Sequence, residues 1–86
     1  MHELQVTTSF VKQAGKLTNS NVRIKKTLIK VLDQLRTDPH HPSLELHKLT
    51  GRNNWSVRVT GDIRIILKWQ HNALFCLQIG SHDDVY

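Results

Sequence analysis

The 86 residues include one cysteine, two prolines, and only two tryptophans, two phenylalanines and one tyrosine. A lone cysteine permits no intrachain disulfide and no thiolate zinc site. Cys76 lies in the run Ala73-Leu74-Phe75-Cys76-Leu77 and reads as a small buried hydrophobe, in keeping with a reducing cytoplasm. No stretch approaches the ~18 apolar residues of a membrane span. The opening Met1-His2-Glu3-Leu4-Gln5-Val6 lacks the basic-then-apolar order of a signal peptide. The expected setting is therefore the cytoplasm, away from membranes. Acidic residues are also scarce: seven Asp and Glu against twelve Lys and Arg leave a net charge of +5. That balance favours polyanionic partners, RNA or DNA, over acidic small molecules.

Repeats, low-complexity tracts and interdomain linkers are missing too, so residues 1–86 read as one domain. Leu4 and Val6 alternate with Glu3 and Gln5 as in a short strand. Thr7, Thr8 and Ser9 are cap candidates for an amphipathic helix carrying Phe10, Val11, Ala14 and Leu17. Asn19-Ser20-Asn21 is a second cap region. After it Ile24, Leu28, Val31 and Leu35 recur at helical spacing, flanked by Val22 and Leu32 and surrounded by Arg23, Lys25, Lys26, Lys30 and Arg36. Thr37-Asp38-Pro39 ends that helix, because the residue before proline disfavours helical backbone. Residues 40–54, punctuated by Pro42, Gly51 and Asn53-Asn54, read as a loop. Three strands follow: Trp55 to Val59, Ile63 to Trp69, and Leu74 to Ile79. The pattern is α+β, with an N-terminal strand and a two-helix hairpin packed on one face of an antiparallel sheet.

A three-residue loop, Thr60-Gly61-Asp62, would set Val59 against Ile63, Val57 against Ile65 and Trp55 against Leu67. All the large apolar side chains then share one face, and Arg58 stands opposite Arg64 on the other. A one-residue slip would place Arg64 among the hydrophobes, so the core pattern favours this register. Opposed like charges are unfavourable without compensation by a phosphate or an acidic segment. The last strand runs back from Leu74 near Trp69 to Ile79 near Ile63. Either Phe75, Leu77 and Ile79 or Leu74 and Cys76 face the helices. In both cases Ser81 and His82 arrive beside Asp62 and Arg64. A carboxylate, two arginines and an imidazole at one sheet edge suit phosphodiester cleavage. Arginine neutralises the charge of the transition state, and histidine can move a proton near neutral pH.

Six histidines raise the question of a metal, but no pair sits at ligand spacing on a helix, so neither a metal site nor a cofactor is expected. His40-His41 read as solvated, and His2 and His71 have no evident role. His47 lies in Leu46-His47-Lys48-Leu49-Thr50-Gly51, just before the second strand.

Three segments together resemble the RelE/ParE superfamily of bacterial type II toxins, closest to its YafQ-like and YoeB-like ribonucleases. His47-Lys48-Leu49-Thr50-Gly51 is similar to the family's H-x-L-x-G element. Trp55-Ser56-Val57-Arg58-Val59 with Asp62-Ile63-Arg64-Ile65-Ile66 is similar to its W-S-x-R-I and R-L-V-Y strands. Ile79-Gly80-Ser81-His82-Asp83-Asp84-Val85-Tyr86 is similar to the G-T-H-S-D-L-F ending of YafQ-like members. The resemblance spans essentially the whole chain. It implies a ribosome-dependent mRNA endoribonuclease that inhibits translation, cuts in the A site without a metal, and is neutralised by a wrapping antitoxin. Carried over by position, His82 is the main general acid or base and Arg64 stabilises the transition-state phosphate. Arg58 matches a YoeB-like arginine. His47 and Asp62 supply or orient the second proton transfer, and Tyr86 stacks on a base or closes the site. Lys48 and Arg52 join Tyr86 as RNA-binding candidates, with Lys25, Lys26 and Lys30 for rRNA phosphates. The chain departs from the pattern at Leu67, where many relatives carry tyrosine, and at Tyr86, four residues after His82 rather than adjacent to it. Two other readings stand beside the ribonuclease: a ParE-like toxin acting on DNA gyrase, and an inactive homologue that only binds antitoxin. His82 and His47 favour the ribonuclease.

Overall fold

A computed structural model describes residues 2–51, 53–81 and 85. β1 (Glu3–Val6) leads into α1 (Thr8–Thr18) and α2 (Val22–Thr37), and then into the strands β2 (His47–Lys48), β3 (Asn54–Arg58), β4 (Ile63–Gln70) and β5 (Ala73–Ser81). The five strands form one sheet in the order β1-β5-β4-β3-β2. Among the described residues no helix is long and apolar enough to cross a membrane.

The helices start where capping chemistry dictates. The Thr7 hydroxyl accepts from Phe10 N at 3.0 Å, and Asn21 Oδ1 accepts from Ile24 N at 3.0 Å. Phe10, Leu28 and Leu35 are buried against the sheet, with Ala14, Leu17, Ile24, Val31 and Leu32 packed around them. Two flanking expectations fail: Val11 is 56% exposed and Val22 is 67% exposed. Val11 stands ~100° around the helix from Phe10, whereas positions 10, 14 and 17 share a face. Val22 is the first residue of α2, just before the buried stripe begins.

The β3–β4 register is the expected one: Trp55 pairs with Leu67, Val57 with Ile65 and Arg58 with Arg64. Val59 N donates to Ile63 O at 2.8 Å, and the Thr60 hydroxyl accepts from the Asp62 and Ile63 amides, which fastens the turn.

Three features differ from the expectation. The sheet is mixed, because β1 pairs parallel with β5, with Leu4 opposite Leu74 and Val6 opposite Cys76. Residues 40–54 are more than loop: Pro42–Leu44 form a 3-10 turn, and His47–Lys48 add a fifth strand to the edge of β3. A two-residue strand is too short to show alternation. The 3-10 turn is capped by His41, whose Nδ1 accepts from Ser43 N at 3.1 Å. Finally, Ile79 pairs with Ile65 and not with Ile63, because β5 shifts register between the pairs made by Leu67 and Ile66.

That shift resolves the two alternatives for β5. Leu74 and Cys76 are buried before the bulge, and Ile79 is buried after it. The extra residue, Leu77, changes the phase of the strand, so parts of both patterns face the helices. The Thr7 hydroxyl donates to Leu77 O at 2.8 Å, and Gln13 Oε1 accepts from Ile79 N at 2.9 Å. The start of α1 therefore sets the path on which β5 reaches Ser81.

Candidate active site

On β3 the buried side chains of Val57 and its partner Ile65 face the helices, so Ser56 and Arg58 face the other way. Two rows cross this second face. One is Arg58, Arg64 and Gly80 on adjacent strands; the other is His47, Ser56, Ile66 and Gln78. The rows are two residues apart, ~7 Å along a strand. Ser81 pairs with Ile63, one residue beyond Arg64, so β5 ends beside the β3–β4 turn that carries Asp62. The sheet thus sets His47, Arg58 and Arg64 on one face, with Asp62 in the turn at its end. His82, the residue after Ser81, lies outside the described residues, as do Arg52 and Tyr86.

The two arginines are not equivalent. Arg58 Nε lies 3.5 Å from Glu45 Oε2, with both side chains substantially exposed. Glu45 follows the 3-10 turn in a left-handed conformation, φ 47°, uncommon for a residue with a side chain. This intrachain carboxylate supplies part of the compensation that the paired arginines require. Arg64 has no ion pair among the described residues. Sequence reasoning missed Glu45. Nothing in the composition of Ser43-Leu44-Glu45-Leu46 signals that the chain turns its carboxylate toward β3.

Ser56 is fully buried on this face, and among the described residues its hydroxyl has no hydrogen-bond partner. It stands directly across from the exposed His47. A buried hydroxyl left unpaired costs about 1–3 kcal/mol.

The other candidates sit apart. Lys48 pairs with Trp55, and its Nζ lies 5.0 Å from that ring's centroid in a cation–π contact on the helix side of the sheet. Lys25, Lys26 and Lys30 are exposed along α2, in the helix layer. At the sheet end away from the arginines, the rings of His2 and His40 each lie 5.4 Å from that of Trp69, and Trp55 lies 5.8 Å from it. His2 and His40 are thus partners of an indole, and His71 occupies the β4–β5 turn with φ 53°. Among the described residues no group of three His, Cys, Asp or Glu is placed to hold a metal.

No family model and no curated protein matches the chain. Solved structures do. A copper-bound toxin variant from Helicobacter pylori superposes with a TM-score of 0.83 at 25% identity, covering 100% of each chain. YafQ from E. coli gives 0.81 at 17% identity, over 100% of this chain and 99% of its own. A YoeB/ParE toxin from Agrobacterium tumefaciens gives 0.78 at 18% identity, over 93% of this chain and 98% of its own. E. coli YafQ also matches as part of a toxin–antitoxin complex with DinJ. The likeness to toxins drawn from three short motifs therefore extends, in three dimensions, over the whole length of the fold.

Proposed function

We propose that this chain, which has the fold of the RelE-like toxins, is the toxin of a type II toxin–antitoxin pair and a metal-independent, ribosome-dependent mRNA endoribonuclease. The observation that carries the reading is the pairing of Arg58 with Arg64 on the face away from the helices, at the sheet end where β5 delivers Ser81. An RNA phosphate bridging two opposed guanidiniums relieves their repulsion and gains charge-assisted hydrogen bonds.

In this reading Arg64, with no ion pair among the described residues, takes the charge that develops on the phosphate as the 2′-oxygen attacks and the 5′-oxygen leaves. Arg58, tethered to Glu45, orients the backbone. His82 transfers one proton and His47 the other, with Asp62 orienting one of them. Tyr86 and Arg52 contribute to mRNA binding, and Lys48 contributes an RNA contact from the helix side of the sheet. Lys25, Lys26 and Lys30 stand on the helix layer, where they meet rRNA phosphates as a separate surface. The partners are mRNA, the ribosomal A site and a cognate antitoxin, and the place of action is the cytoplasm.

The test is primer extension on a reporter mRNA in growing cells, with this chain compared against His82→Ala and His47→Ala. Cuts in codon phase within translated regions, lost in the variants, are the expected result. Growth arrest without cuts would replace the ribonuclease with a gyrase-directed toxin. Neither arrest nor cuts would leave an inactive antitoxin-binding homologue.

A further inference from the structure

We infer that the free edge of β1 pairs with the same edge of a second copy, so that two sheets join across a two-fold axis into a weak dimer.

β1 ends the sheet: β5 lies on one side, and among the described residues no strand lies on the other. Glu3 N donates to Asn72 O at 2.9 Å and Thr7 N to Cys76 O at 3.1 Å, so the odd-numbered residues here turn their backbone groups toward β5. The period of two then aims the N–H and C=O groups of Leu4 and Val6 at the open side. Such a row of groups is a template for another strand, and proteins commonly guard it with lysine, proline or extreme shortness. The opposite edge of the sheet is guarded in that way, since β2 has two residues and one of them is Lys48. β1, Glu3-Leu4-Gln5-Val6, has neither lysine nor proline, although the chain carries twelve Lys and Arg.

The side chains along this edge form a knob and a hole. Leu4 pairs with Leu74 and Val6 with Cys76, both buried toward the helices, so Leu4 and Val6 also face the helix layer. Leu4 packs on the core, whereas Val6 is 47% exposed. A cavity of about 290 Å³ opens beside Leu4, lined also by Leu32, Asp33 and Arg36 of α2.

What is already engaged fixes the register. His2 N donates to Arg36 O at 2.8 Å, and Thr8 begins α1. Leu4 and Val6 remain, and an antiparallel pairing that uses both is centred on Gln5. It sets Leu4 against Val6 of the second copy and Gln5 against Gln5 of the second copy. Leu4 and its opposite Val6 exchange both backbone hydrogen bonds. Each Val6 then enters the cavity beside the other copy's Leu4. The two Gln5 carboxamides meet, each with a donor and an acceptor. Glu3 falls opposite Thr7 of the second copy, so no like charges are opposed. The surface is its own complement, as a two-fold interface requires. A foreign strand would need a matching apolar residue at one place; a second copy carries it on the same strand as the hole.

The test is sedimentation of the full chain, expected to show a reversible dimer between roughly 10 and 500 µM, the weak range of a small interface. Val6→Lys places a charge in the cavity and should weaken self-association at least ~tenfold. Val22→Lys, at an exposed valine on α2, should leave it unchanged. Gln5→Cys should give a disulfide-linked dimer under mild oxidation. Opposed residues of a non-hydrogen-bonded pair have Cα atoms about 4.5 Å apart, within the roughly 4.4–6.8 Å that a disulfide spans. The unsubstituted chain, whose Cys76 is buried, should not cross-link. Circular dichroism shows whether each variant is folded. A chain that stays monomeric at ~500 µM, a dimer indifferent to Val6→Lys, or a folded Gln5→Cys variant that does not cross-link overturns the proposal. Binding of a Thr-Val-Thr-Val-Thr peptide to a monomeric chain, lost in Val6→Lys, would also overturn it and give the edge to a foreign strand.

Discussion

Arg58 and Arg64 stand directly opposite each other across β3 and β4, and Glu45 lies 3.5 Å from the first but pairs with the second in no described contact. Among the described residues one guanidinium has a carboxylate neighbour and the other has none.

Arg64→Ala should therefore lower cleavage by about 10²–10³, the usual effect of removing a donor aimed at developing charge. Arg58→Ala should cost less. Glu45→Gln should leave stability within ~1 kcal/mol, because an exposed ion pair contributes little. Single-turnover cleavage on programmed ribosomes and urea unfolding measure the two effects. Equal losses for the two arginines would sink the division of roles.

Ser56→Ala removes a fully buried hydroxyl that has no partner among the described residues. Stability should stay level or rise by up to ~1 kcal/mol, against the destabilisation typical of buried substitutions. A clear loss in a urea titration would mean that the hydroxyl is satisfied in solution.

Thr7→Val should cost about 2 kcal/mol, because one hydroxyl both caps α1 and donates to Leu77 O at the bulge. Thr18→Val is the control: its hydroxyl bonds only Ala14 O within its own helix, and the loss should be a few tenths of a kcal/mol. Equal midpoints for the two variants in chemical denaturation would show that the bulge clamp contributes nothing.

Burial pushes the Cys76 thiol from its ordinary value of 9.0 up to about 12. The folded pKa lies above the unfolded one, so the stabilising contribution is complete below pH ~9 and declines as pH rises toward ~12. Urea midpoints measured from pH 8 to 10.5 should fall, and Cys76→Ala should flatten that slope. Thiol labelling of the folded chain at pH 8 should track global unfolding; fast labelling would contradict the burial.

The helices, their caps and the arginine register were legible in the order of the amino acids. These follow from local chemistry: side chains that bond their own backbone within three residues, apolar residues at a period of 3.6, and a hairpin whose period of two tolerates no slip. The three strands of the last third were legible for the same reason, and so was the meeting of Asp62, Arg64 and the end of β5. The rest came from contacts between distant segments. β2 is two residues long and exists because the edge of β3 was open to it. The bulge at Leu77 is met by Thr7 and Gln13, more than sixty residues away in the chain, and β1 lies parallel to β5 across a similar separation. The tether on Arg58 comes from a left-handed Glu45 that no propensity favours. Each is a contact between segments whose local sequence is silent about it, and together they place His47 beside Ser56 and give one of the two arginines a carboxylate neighbour.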